Sequence, residues 1–509
     1  MKQLFDSVFS WKLYREALSQ LRLMGFLTSG ALLIFMAVLP ILDATAWSWH
    51  GRNFARDASM IDFSVLLYLY VWIAPFILTF ALFGFLNSRK KSDFYHSLPV
   101  TRQALFLSFV KAVLTWLLVT VVLAVLIPAT IYALLGAPRV FSEVGPLLLL
   151  LIPALSFAVA VAALVASVSG TRFTNLSLAV VIIAIPPLLS EFLRNAVADS
   201  VPTLAPSGVG LFGLQLSNTY YTFDMWSILD TIGREGGRWL QEMLLNAGFT
   251  AVVALVLLLC AGIFFVRRRS EMAGNSAPNQ WMQWMYRISI AFLPLLVFFM
   301  QDFMFFHIAD FISGLMVTLI ISIILVCAFD LISTKAWKNL LYAIPAVGIA
   351  SLIMILLVTL IWGVALSEST FSPKPEQIQS VRVVNARNPA WGWDFITHGN
   401  TTEMQALQRL RDDRVRITDP EVNNQVVELL DDMRIQPTWG NLGRLNNSWD
   451  QWSGTDNTID AQIEVILTSG QRKNLMLPVA AERWGSGAMN PTISLNDLGE
   501  ALVRVDSNR

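Results

Sequence analysis

Charge is scarce in this chain. Only 14% of its 509 residues are Asp, Glu, Lys or Arg, against about 25% in a soluble globular protein. The two signs balance at 36 residues each, which excludes a strong overall pull on nucleic acid. Cysteine is nearly absent. Cys260 and Cys327 both fall in apolar runs, so a disulfide framework and a Cys-based metal site are excluded. The four histidines, His50, His96, His307 and His398, include no pair at metal-ligand spacing. No G-x-x-x-x-G-K-[ST] segment occurs, so the chain does not bind and hydrolyse ATP by a phosphate-binding loop. H-E-x-x-H is missing too, which removes a zinc protease of that type. A Ser/His protease needs its nucleophile and base together, and only His307 lies near an apolar segment. The chain reads as no enzyme, with no cofactor of its own. The N-terminus also lacks the basic, then apolar, then small-residue order of a cleavable signal, so its first apolar run reads as retained.

What is present is apolar. The chain is 55% hydrophobic, with 32 Phe and 17 Trp, and its mean hydropathy is +0.57. A membrane span needs roughly 20 mostly apolar residues. Nine segments qualify, at about 24–43, 62–86, 104–136, 145–168, 173–194, 246–266, 285–306, 310–333 and 338–366. Prolines interrupt several of them, which spanning helices tolerate. The expected fold is a polytopic α-helical membrane protein of about nine transmembrane helices, with a C-terminal α+β soluble domain.

Positive charge sets the expected orientation. Lys2, Lys12, Arg15 and Arg22 precede the first span. Arg89, Lys90, Lys91 and Arg102 lie between the second and third, Arg172 between the fourth and fifth, Arg267, Arg268, Arg269 and Arg287 between the sixth and seventh, and Lys335 and Lys338 before the ninth. The alternate loops are poorer. This bias puts the N-terminus in the cytoplasm and, with nine spans, the C-terminal domain outside the membrane.

The expected organisation is an interfacial helix at 1–23, a six-span unit at 24–266, a cytoplasmic linker at 267–284, a three-span extension at 285–366 and an extracytoplasmic domain at 367–509. In the first segment Leu4, Val8, Trp11, Tyr14, Leu18 and Leu21 recur at helical spacing. They read as a face lying along the inner leaflet, or as the start of a long first helix. Residues 195–245 form a long outer segment, read either as a lid or as a packing plug. In the C-terminal domain, Ile378–Val384 reads as a strand. Asp419 and Pro420 open a helix running to about Arg434. Two alternating runs flank Ser469-Gly470 as a hairpin. Trp391, Trp393, Trp439, Trp449, Trp452 and Trp484 sit among polar residues, a pattern that suits sugar stacking as well as ordinary packing.

Ionisable residues within spans are costly and therefore informative. Glu191 and Arg194 are spaced to pair. Lys111 is placed to snorkel to the inner surface. Asp302, Asp310 and Asp330 fall near span ends, and none of the three has an obvious partner in the sequence.

The run Arg89 to Phe106 is a short charged loop carrying aromatics between two long apolar segments. Asp93 is placed to cap a short helix, Phe94–Leu98. Pro99 ends it, and Thr101 caps the next. Phe94, Tyr95 and Leu98 then form an apolar knob ringed by Arg89, Lys90, Lys91 and Arg102. Such a loop either orients the protein, with its aromatics in the lipid interface, or docks a cytoplasmic partner. Ser92-Asp93-Phe94-Tyr95-His96-Ser97-Leu98-Pro99-Val100-Thr101-Arg102, followed by Leu105-Phe106, resembles the loop between the second and third spans of bacterial ABC-2 type transporter permeases. The six-span block with a long outer segment before its sixth span is similar to that family as well, and the larger Gram-positive permeases share the extra spans and outer domain. The resemblance implies that Asp93, Phe94, Tyr95, His96, Ser97, Leu98, Pro99 and Arg102 form a coupling helix. That helix would seat in a separate ATP-binding cassette ATPase, which carries ATP and Mg. It also implies a second permease chain, a bacterial cell-membrane location among membrane lipid, and export of an amphiphilic or envelope-related substrate. The alternative is a non-transporting receptor or scaffold that senses an outer ligand through its C-terminal domain.

Overall fold

The computed structural model describes residues 9–49, 58–60, 64–200, 210–211, 214–215, 238–277, 279–302, 308–369, 371, 373–387, 409–410, 415–432, 458–483, 492–495 and 497–507. Its long helices are α1 (Trp11–Trp49), α2 (Ser64–Phe83), α4 (Arg102–Leu134), α5 (Phe141–Val168), α6 (Arg172–Ser200), α7 (Arg238–Arg267), α8 (Gln280–Asp302), α9 (Ile308–Thr334) and α10 (Ala343–Ser369). Between α2 and α4 lies the short helix α3 (Arg89–Ser97). Among the described residues nine helices are long and apolar enough to cross a membrane, and they coincide with the nine expected segments. The described residues of the long outer segment include a two-stranded pairing, β1 (Gly210–Leu211) with β2 (Leu214–Gln215). Residues 195–200 of that segment continue α6 and 238–245 begin α7, and 201–209, 212–213 and 216–237 lie outside the described residues.

The chain packs as two compact units. The first contains α1–α5, α7 and parts of α6, α8, α9 and α10. Its centre is α5, whose second half, from Ala154 to Val168, is almost entirely buried and correspondingly apolar. Ala158, Ala160, Ala162, Ala163 and Ala166 are all buried, and such small side chains let neighbouring backbones approach closely. Helices α2, α4 and α7 pack on α5, and α1 packs on α4.

Helix α1 corrects one expectation. Residues 11–23 are not a separate interfacial helix, because α1 runs unbroken from Trp11 to Trp49. Leu4 and Val8 lie outside the described residues. Ala17 and Leu21 are fully buried, with Tyr14 and Leu18 packed beside them, and the Tyr14 hydroxyl donates to Thr115 Oγ1 at 3.2 Å. Tyr14, Leu18 and Leu21 of the stripe therefore cover protein, whereas Trp11 is exposed. Further along, Ser29 Oγ accepts from Trp116 Nε1 at 3.1 Å and Thr120 Oγ1 at 2.8 Å, and lies 3.1 Å from the Tyr70 hydroxyl. One buried hydroxyl thus joins α1, α2 and α4. The Trp116 indole fills the space a Cβ on Gly25 would need. Lys111, expected to snorkel, places its Nζ 4.6 Å from the Phe9 ring centre, a cation–π contact.

A second correction concerns Asp330. It is fully buried and paired. Arg287 Nε donates to its Oδ2 at 2.7 Å, and Gln283 Nε2 to its Oδ1 at 3.1 Å. Because α8 begins at Gln280, Gln283 and Arg287 are one turn apart on one helix face, so Arg287 is not a loop cation. The Trp284 and Tyr342 rings flank the guanidinium, their centres 5.5 and 4.9 Å away. Tyr286 and Phe329 share a core cluster with α5, α6 and α7. The side chains of Glu191, Arg194, Asp302 and Asp310 lie outside the described residues.

The second unit contains an antiparallel sheet of β3 (Ile378–Arg387), β4 (Thr458–Leu467), β5 (Arg472–Arg483) and β6 (Thr492–Leu495), in that order. Helices α11 (Pro420–Asp432) and α12 (Asp497–Ser507) share its core, where Val381, Ile463 and Leu477 meet Val426 and Leu502. Asp419 Oδ1 accepts from Glu421 N at 2.9 Å, the expected cap. Gly470 turns the β4–β5 hairpin at a φ of 81°, a left-handed value that favours glycine. The six tryptophans of the sugar-stacking reading lie outside the described residues.

Two outcomes follow. Gly25→Ala drives a methyl group into Trp116 and is expected to cost about 1–3 kcal/mol, whereas Gly30→Ala meets open space and should leave the thermal midpoint of the detergent-solubilised protein unchanged. Asp330→Asn strands a buried guanidinium, at a cost of about 3–5 kcal/mol. Adding Arg287→Met should restore most of the loss, and a double variant that melts no higher than Asp330→Asn would contradict the pairing.

Candidate functional site

The residues of the expected coupling loop gather at one end of the first unit, in and around α3. The helix starts earlier than expected. Ser88 is the N-cap, without a side-chain cap bond, so Asp93 stands exposed inside the helix and does not cap it. The helix ends at Ser97, one residue before the expected Leu98. Leu98 is extended, with φ −64° and ψ 141°, because the following Pro99 disfavours helical geometry before it. Thr101 Oγ1 then accepts from Ala104 N at 3.2 Å and opens α4.

The apolar knob divides. Phe94 projects outward, 60% exposed. Tyr95 turns inward, its ring centre 4.3 Å from that of Phe85 and 6.0 Å from that of Phe109. Leu98 is half-buried, and Ser92 is fully buried beneath the helix. Ser97 Oγ donates to Phe94 O at 2.8 Å. The His96 side chain lies outside the described residues. Phe94 is therefore the protruding apolar group, and Tyr95 fastens α3 to the body.

The ring of cations divides as well. Lys90 and Lys91 are exposed. Arg89 is exposed as well, but its Nε donates to Ala273 O at 3.3 Å. Arg102 Nη1 donates to Val266 O at 3.0 Å and Arg268 O at 2.6 Å. It thus satisfies carbonyls that the end of α7 leaves unbonded.

Arg268 repeats this device at a larger scale. It is 2% exposed. Its Nη1 donates to Ala166 O at 2.7 Å, Ser167 O at 3.1 Å and Ser169 O at 2.6 Å, and its Nη2 to Leu86 O at 2.9 Å. The first three carbonyls end α5, and the fourth belongs to the 3-10 turn after α2. A cation there is also favoured by the α5 dipole. Burial pushes the guanidinium down to about 10, so it keeps its charge at cellular pH. Beside it, Gly170 N donates to Asn275 O at 3.0 Å, and Gly274 N to Gly170 O at 2.9 Å. A Cβ on Gly170 would strike the Met272 and Asn275 carbonyls, so this crossing requires glycine. The segment 267–284, expected as a polar linker, is thereby stitched across the ends of α5, α7 and the α2 turn as far as Asn275, and α3 packs on its 3-10 turn, Ser270–Met272.

Charge counting along the sequence missed Arg268, because it gives Arg267, Arg268 and Arg269 equal weight. No local signal marks it, because α7 ends at Arg267 and the carbonyls that Arg268 serves include ones 102 and 182 residues away. Arg267 and Arg269 are exposed, and the middle one is buried. Among the described residues, no group of three His, Cys, Asp or Glu side chains is placed to hold a metal ion, and Cys260 and Cys327 are free thiols.

Arg268→Gln removes the fork that reaches both α5 and the α2 turn and leaves buried carbonyls unsatisfied, at about 1–3 kcal/mol for each. The thermal midpoint is expected to fall by many degrees, while Arg269→Gln, on an exposed side chain, leaves it in place. Equal midpoints for the two variants would contradict the capping role. No protein-family model, curated protein or solved structure matches this chain.

Proposed function

We propose that the chain is the permease subunit of an ATP-driven exporter, with α3 as the helix that receives motion from a separate ATP-binding cassette ATPase. One observation carries the reading. α3 is a short, firmly seated helix that keeps one large apolar side chain, Phe94, outside the fold, beside the exposed cations Lys90 and Lys91. A docking knob needs an apolar anchor on a rigid base, and Tyr95, Arg89 and Arg102 supply that base.

In this reading the α3 end faces the cytoplasm of a bacterial cell, where the exposed Arg172, Arg267, Arg269, Lys335 and Lys338 accord with positive charge on the inner side. The sheet domain lies outside, the chain works as a dimer of permeases, and the ATP and Mg reside on the partner. Displacement of α3 passes through Arg102 and Arg268 into α4, α5 and α7, so the bundle alternates as packed bodies. The cargo is an amphiphilic or envelope-related molecule.

The test reconstitutes the full chain with its ATPase in vesicles. Phe94→Ser should insert normally and lower stimulation of ATP hydrolysis at least tenfold, while Val100→Ser, exposed just past α3, leaves it unchanged. Full stimulation by the Phe94 variant would overturn the coupling role and favour the receptor or scaffold reading. Tyr95 is unsuited to this test, because its ring belongs to the core.

A further inference from the structure

Beside α3 the first unit holds a cleft of about 460 Å³. Its polar lining is Gln20 from α1, Asn87 from the turn after α2, Lys91 and Tyr95 from α3, and Arg172 and Asn175 from α6, and the α2 segment Phe80 to Leu82 supplies an apolar wall. None of the lining residues carries a carboxylate. Lys91 and Arg172 are both exposed in it, and neither makes an ion pair among the described residues.

The hydrogen bonds around the cleft consume acceptors and leave donors. Ser169 Oγ donates to Asn175 Oδ1, and Asn175 Nδ2 donates to Asn87 Oδ1 at 3.4 Å. The Asn87 carbonyl is thus engaged, while its amide N–H groups are unused among the described residues. On the other side, Gln20 Nε2 donates to Glu16 Oε1 at 3.3 Å and to the Tyr95 hydroxyl oxygen at 3.4 Å. Tyr95 accepts that bond and keeps its own proton to give. Glu16 is the acid that this hydrogen-bonded chain reaches, and its carboxylate accepts from the Gln20 amide. The cleft therefore offers an ammonium, a guanidinium, an amide and a phenol, all as donors, beside an apolar wall.

We infer that this cleft binds a phosphate group carried by an amphiphile, the chemistry of a phospholipid headgroup. Phosphate supplies several acceptor oxygens and negative charge for the four donors, basic pockets between membrane helices suit such headgroups, and the α2 wall takes the glycerol and first acyl carbons. The inference does not depend on the coupling reading. Because Lys91 and Tyr95 belong to α3, occupancy would bear on how that helix is held.

The experiment uses the purified full chain in neutral detergent. Binding of phosphatidylglycerol, of inorganic phosphate and of the uncharged lipid diacylglycerol is measured by native mass spectrometry and calorimetry. Phosphatidylglycerol should bind, diacylglycerol should not, and Lys91→Gln and Arg172→Gln should each weaken binding about tenfold. Lys90→Gln, on the same helix but outside the cleft, should leave it unchanged. Inorganic phosphate that binds as well as the lipid, with the same two sensitivities, would assign the site to free phosphate and overturn the lipid source. Lipid binding that ignores both substitutions, or falls equally with Lys90→Gln, would overturn the site. Asn87→Asp, which turns the unused donor into a carboxylate, gives an independent check and should also abolish binding. Each variant's elution volume and melting midpoint are read alongside, and exposed side chains such as Lys91 and Arg172 should leave both unchanged.

Discussion

The α3 end of this bundle depends on one guanidinium. Every helix leaves its last carbonyls without intrahelical partners, and burying them unsatisfied is expensive. Three helical segments end close together here: α5, α7 and the turn after α2. Arg268 closes the first and the last of these in one step, with bonds of 2.6–3.1 Å to four carbonyls. Arg102 closes the α7 end, accepted by Val266 O and Arg268 O. The residue that caps α5 is thus itself held through its backbone by the start of α4. Arginine suits this task because its planar fork carries five donors and stays charged when buried.

The consequence is mechanical. α3 has only nine residues and is too short to be stable alone. Its position is borrowed from Tyr95 against Phe85, from Arg89 on Ala273 O, and from the α4 cap at Thr101. Each of these anchors leads back to the stitched segment or to the packed core. A force on Phe94 therefore acts on the ends of several long helices together. The cleft beside α3 shares two of its residues, so a headgroup bound there and a partner seated on Phe94 would act on the same helix.

Much of this was legible in the sequence and some was not, for identifiable reasons. Nine apolar stretches announce nine long helices, because length and hydropathy are properties of a segment by itself. The Thr101 and Asp419 caps and the Gly470 turn were readable on the same ground, since each is set within a few residues. What was hidden depends on distant partners. Asp330 looked unpaired because its cation, Arg287, was counted with a loop when it lies on a helix 43 residues away. Arg102 and Arg268 looked like solvent charges because the carbonyls they serve are up to 182 residues distant. Tyr14, Leu18 and Leu21 of the expected stripe meet protein, and periodicity alone does not say whether such a face meets lipid or protein. Asp93 was misplaced as a cap because α3 begins four residues before it, after Ser88, an equally favoured N-cap residue type.

The central claim is that α3 and the segment after α7 are held as one body by Arg268. Hydrogen–deuterium exchange on the full chain tests it directly, comparing the native protein with Arg268→Lys, which keeps the charge and loses the fork. The account predicts that amides in 89–97 and in 268–275 lose protection together, while the β4–β5 hairpin is unchanged. Loosening of 268–275 alone, with α3 as protected as before, would contradict it.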